Sequence, residues 1–152
     1  MAPGWVSGLL SSRAFQIIAR IVLTTPFWAA AIQHGLGWND WVGTMAHFNL
    51  NPPVLFALLT LVTLVAGTVA VVFTNKWVWL GAGALGVFTA LTIPIAHAFW
   101  AMQGQAATTE FYTVLEHISI IGGLMILAVH ANSAPEAAEA ADVAGAAAAA
   151  EA

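Results

Sequence analysis

Apolar residues run along this chain in four long blocks, separated by breaks that are short or rich in tryptophan and proline. The blocks cover about Ala14 to Gln33, Val54 to Thr74, Trp77 to Ala101 and Phe111 to His130. A bilayer core of about 30 Å needs roughly 20 apolar residues as helix, and each block meets that length. The pattern predicts an all-α fold, a membrane-embedded four-helix bundle formed by residues 1–132. The longest break, Gly35 to Pro53, reads as a loop whose Trp38, Trp41, Phe48 and Pro52-Pro53 suit the membrane–water boundary.

Within each block, small and polar residues recur at helical spacing. The first has Arg20, Thr24, Phe27, Ala31 and His34, and the second has Thr60, Thr63, Gly67, Ala70 and Thr74. The third has Gly83, Gly86, Ala90 and His97; the fourth has Thr109, Tyr112, Glu116, Ser119 and Gly123. In lipid such residues belong on helix–helix contacts, because a leucine gains nothing by leaving the tails. The stripes are therefore expected to face the inside of the bundle.

Composition supports a membrane setting. Of 152 residues, 61% are apolar and 7% charged, against about 25% charged in a soluble domain, and the mean hydropathy is +0.87. The net charge of −4 arises mostly at one end, since Glu136, Glu139, Asp142 and Glu151 fall in the last 17 residues. That Ala/Glu-rich segment, 133–152, has no apolar face to bury and reads as a disordered cytoplasmic tail. No basic patch is present for nucleic acid. The absence of cysteine excludes disulfides, thiolate metal sites and thiol nucleophiles.

The only basic residues besides histidine are Arg13, Arg20 and Lys76. Four crossings put all three on one side, so the positive-inside rule places both termini in the cytoplasm. A competing reading of the first block is a cleaved signal peptide, with basic residues before an apolar run and a small triplet at Ala29-Ala30-Ala31. A retained span accounts better for the stripe that runs through it.

Ionisable groups inside a span are costly and become candidates for function. Arg20 lies two turns into the first block, where it can snorkel outward. Glu116 lies about 7 to 8 Å beyond Phe111, too deep for a short side chain to snorkel. His34, His97, Glu110, Glu116 and His117 share the outer third of the membrane, with Trp100 one turn beyond His97 and His47 in the loop nearby. His130 falls at the opposite end. Such a layer could hydrogen-bond a quinone carbonyl and carry its proton, or simply lock the helices together. For a metal the spacing is poor, with neither H-x-x-E-H nor E-x-x-H present.

The sequence resembles the DoxX family of small four-helix bacterial membrane proteins over roughly Arg20 to Val129. The opening helix of that family has Arg, Phe seven residues on, Gly four later and Lys three after that, matched here by Arg20, Phe27, Ala31 and His34. His97-Ala98-Phe99-Trp100 matches its histidine and aromatic pair at the end of the third helix. Glu116-His117, followed after four residues by Gly122-Gly123, matches a Lys-Asn…Gly-Gly pattern in the fourth. The departures are informative: the family's first-helix Lys is His34, its second-helix acid is Thr63, and its fourth-helix Lys is Glu116. The charged pairing is thus rewritten, and any function resting on those lysines is in doubt for this member.

The resemblance implies an inner-membrane protein linked to quinone-dependent oxidoreductases or oxidative-stress complexes. The first expectation is therefore a membrane subunit of a quinone-linked redox system, with candidate ligand or proton-handling residues His34, His97, Trp100, Glu110, Glu116, His117 and Arg20. It has no electron carrier of its own, so a quinone or a partner's cofactor would supply the redox chemistry. A structural or assembly subunit of a larger membrane complex is the alternative. A small-solute or proton carrier is less favoured, because the inner half offers only Arg20 and His130. A free-standing enzyme fits least. The bilayer and other membrane subunits are the expected partners.

Overall fold

A computed structural model describes residues 2–150. Among the described residues the structure is helical, with no strand: α1 Gly4–Ser11, α2 Arg13–Leu23, α3 Thr25–Leu36, α4 Trp38–His47, α5 Pro53–Phe73, α6 Val78–Ala96 and α7 Gly104–Ala150. A single 3-10 turn, Phe99–Ala101, joins the last two. Helices α5, α6 (counted with that turn) and α7 up to Ser133 are long and apolar enough to cross a membrane. α1 and α2, bent by 65°, bring the number to as many as four if counted as one broken span.

The first apolar block is not one uniform helix. It breaks at Thr24, because Pro26 has no N–H to return to Val22. The break is stitched by Thr24, whose hydroxyl donates to Arg20 O at 2.8 Å and whose carbonyl accepts from Phe27 and Trp28. The expected loop between the first two blocks contains α4. Its Trp38, Trp41 and Met45 fall at helical spacing, and Met45 is buried. α6 ends sooner than expected, since Pro94 interrupts it and His97 caps it, donating its N–H to Ile93 O. α7 starts earlier, at Gly104, and continues to Ala150 through the Ala/Glu-rich segment expected as a tail; alanine has the highest helix propensity. Residues 151 and 152 of that expected tail lie outside the described residues.

α5 is the hub, packing against α2, α3, α4 and α6, while α6 packs against α7 and α7 returns to α2. The core joins Phe27 and Ala31 of α3, Leu64 and Val71 of α5, Ala82 and Leu85 of α6, and Leu124 of α7. Only 28%, 28% and 11% of the apolar windows in the three long helices are buried. Their outer Leu, Ile and Val side chains therefore need a hydrocarbon solvent, which a single layer of helices cannot supply.

The expected stripes hold on the first two blocks and only in part on the others, where Gly123 approaches Leu23 so closely that a Cβ would stand 2.9 Å from it. Thr24, Phe27 and Ala31 are buried, as is Gly67. On α6 the inward residues are Gly81, Ala82, Leu85 and Thr89, whereas Gly83 and Ala90 face out. Closeness of approach explains the choice. A Cβ on Gly81 would stand 2.8 Å from Ala70 Cβ and 2.8 Å from Gly67 O, while one on Gly83 would meet nothing within 4 Å. On α7 the stripe through Thr109, Tyr112, Glu116 and Ser119 is exposed, and Val114 and Leu124 point inward.

Candidate functional site

The end of α6 sets the site. Pro94 leaves Ala90 without its usual helical donor, the helix stops two residues later, and His97 projects from its C-terminal cap. The chain then reverses through the 3-10 turn to Gly104, whose φ of +64° lies in the left-handed region that glycine enters freely. α7 therefore runs back beside His97. Glu110 and His117, seven residues apart, lie on one face of α7.

His97 Nδ1 and Glu110 Oε2 are 2.7 Å apart, and both side chains are about three-quarters shielded. With Glu110 ionised, His97 donates its Nδ1 hydrogen and leaves Nε2 free. His117 Nδ1 lies 2.8 Å from Thr113 O; a carbonyl only accepts, so Nδ1 carries the hydrogen and the lone pair of neutral His117 sits on Nε2. The two imidazoles meet edge-on with ring centroids 4.7 Å apart. Across the site, His34 of α3 stacks on Trp41 of α4 with centroids 3.5 Å apart and planes 10° from parallel.

These groups line one cavity of about 500 Å³, bounded by α3, α4, α5, α6 and α7. Phe27, Leu64, Phe88 and Ile120 supply apolar walls. The hydroxyls of Thr89 and Thr92 are spent on carbonyls of their own helix. Its polar capacity is therefore concentrated in His34, Trp41, His97, Glu110 and His117. The indole Nε1 of Trp41 is buried and has no hydrogen-bond partner among the described residues.

The structure thus brings together four of the seven candidates, His34, His97, Glu110 and His117. Glu116 is exposed on the outer face of α7, one residue round from His117. Trp100 is 61% exposed, set edge-on to Phe99 and outside the cavity. Arg20 lies at the other end of the bundle, where Nη1 donates to Val71 O at 3.3 Å and Thr74 O at 3.0 Å. Val71 O is among the last carbonyls of α5, which have no intrahelical partner, and Thr74 O belongs to the residue that caps the helix. His47 is exposed, and His130 borders a separate groove at Arg20's end. Trp41 and Phe48 were not singled out as lining residues from sequence; the Trp38, Trp41, Met45, Phe48 spacing was the available signal. Among the described residues no group of three or more His, Asp or Glu is arranged to hold a metal.

The DoxX family profile matches residues 15–98. The chain belongs to the DoxX family. The match runs from α2 to the His97 cap, so it includes His34, Trp41 and His97 of the cavity. Glu110 and His117 lie beyond it, as does the Glu116 to Gly123 segment that resembles the family's fourth helix. No curated protein and no solved structure matches this DoxX protein.

Proposed function

We infer that this DoxX protein is a four-span subunit of a quinone-linked redox system in the bacterial inner membrane, with the α3–α7 cavity as its quinone site. The observation that carries this reading is the His97–Glu110 pair at the end of an apolar cavity of about 500 Å³, a size within the usual range for small-molecule sites. Apolar walls suit a hydrophobic ring, and the polar groups are few and convergent. Trp41 brings an unused donor, and an acceptor beside it would relieve the cost of burying that N–H unpaired.

A quinone bound there would supply two-electron, two-proton chemistry, with electrons from a partner subunit. The chain's own part is to bind, orient and handle protons. His97 can take a proton at Nε2, because its hydrogen bond to Glu110 fixes the ring and turns that nitrogen toward the cavity's free space. His117 offers an accepting Nε2 next to it.

The fourth crossing in this reading is α2 with α3, since Arg13 to Leu36 spans about 36 Å as helix, enough without α1. α1 then lies along the interface at 65° to α2, with Trp5 exposed. The gathering of Arg13, Arg20 and Lys76 at one end supports cytoplasmic termini in this reading.

The test is quinone binding and turnover by purified variants in lipid discs. His97→Leu and Glu110→Gln should each weaken binding on the order of tenfold to a hundredfold, the worth of a charge-assisted hydrogen bond. Unchanged binding in both folded variants would sink the assignment.

The outward position of Glu116 favours a second, compatible reading as a subunit of a larger complex. A carboxyl group on a lipid-facing helix surface is costly, and a donor on a neighbouring subunit's helix would relieve it. This reading expects Glu116→Arg to break a stoichiometric complex; intact co-purification would remove it.

A further inference from the structure

All three Lys and Arg residues of the chain gather at the end of the bundle opposite the cavity, and two of them border one groove. The groove, about 370 Å³, lies between α2 and the C-terminal end of α5. Its rim carries Arg13, Gln16, Arg20 and Asn75, and its floor is Ile17, Val72 and Phe73. Among the described residues no acidic residue lines it. Lys76 is turned elsewhere, with Nζ 5.5 Å from the centre of the Trp77 ring.

Arg20 is held in place by its bonds to the α5 carbonyls, reinforced by Asn75 Oδ1 at 3.5 Å. All of these leave from Nη1; among the described residues Nε and Nη2 make none. A planar guanidinium fixed on one side retains donors in the fork geometry that suits phosphate oxygens. Arg13 makes no hydrogen bond or ion pair among the described residues, and it opens the first turn of α2 from the far side of the rim. Two cations and two amides therefore stand beside the apolar side chains of Ile17, Val72 and Phe73.

We propose that this groove binds a phosphate-bearing amphiphile, the headgroup of an anionic glycerophospholipid, with its phosphate between Arg13 and Arg20 and an acyl chain along Ile17 and Phe73. A free phosphate shares the headgroup chemistry but makes no use of the floor. The placement also matches charge to setting, since anionic lipid at the cytoplasmic surface attracts basic residues at a membrane boundary. The site is separate from the cavity and does not depend on the quinone assignment.

Native mass spectrometry of the full-length protein in micelles doped with phosphatidylglycerol or phosphatidylcholine tests this directly. The wild type should retain phosphatidylglycerol in preference. Arg13→Gln, at a residue with no structural bond to lose, should lower that retention about fivefold, the worth of one basic residue near an anionic surface, and Arg13→Lys should keep most of it. Arg20→Lys, which can cap α5 or reach the groove but not do both, should also lose retention. Equal retention of the two lipids, no effect of Arg13→Gln, or displacement by inorganic phosphate as effectively as by free lipid would each overturn the proposal.

Discussion

Glu110 and Glu116 lie six residues apart on one helix, and that spacing sends them to different surroundings. At 3.6 residues per turn they are about 240° apart around α7, whereas Glu110 and His117 are within about 20° of each other. The sequence assigns both carboxylates to one layer but cannot say which face of α7 turns inward, because the polar stripe at helical spacing runs through Glu116 and not Glu110. His97 is legible as an ionisable group near the outer end of the third block, but the end of α6 beside it is not, because the apolar run continues past Pro94 to Ala101. Two outcomes follow at this scale. Glu116→Gln should leave quinone binding unchanged within error, while Trp41→Leu, which removes both the stack on His34 and the unpaired donor, should weaken it about three- to tenfold. Titration of each purified variant with a soluble quinone analogue checks both, and the reverse order of effects would move the site to the outer face of α7.

At the scale of elements, helix existence could be read from the apolar blocks, but breaks and faces required packing. The continuity of the apolar run across Pro26 hides the boundary at Thr24. α4 was hidden differently, since two tryptophans beside a double proline read equally well as an interfacial loop. On α6, small residues occur on both faces, so composition alone could not choose between Gly81 and Gly83. The structure chooses by distance, with Gly81 backed by the α5 backbone at Gly67 O and Gly83 open. Gly81→Val should destabilise the detergent-solubilised protein by about 1–3 kcal/mol through overpacking, while Gly83→Ala should be neutral. Thermal unfolding of the two variants decides this; equal midpoints would mean that α5 and α6 do not pack as described.

At the scale of the whole molecule, the alternation of the three basic residues with uncharged loops was readable from sequence, but helix order around the bundle was not. The order α3, α5, α6, α7, with α7 returning to α2, is what brings His34 and His97 into one cavity although 63 residues separate them in the chain. The proposed four-span topology makes its own prediction. The chain has no cysteine, so Asn75→Cys and Gln103→Cys would each provide a single reporter, and a membrane-impermeant thiol reagent should label only Gln103→Cys in intact cells.

The central claim is that the His97–Glu110 cavity holds quinone, and the most direct measurement is the quinone content of protein purified gently from its native membranes. Mass spectrometry of the released small molecules should find quinone with the wild type and a large loss from Glu110→Gln purified in the same way. Wild-type protein carrying only phospholipid, or quinone retained equally by both proteins, would contradict it.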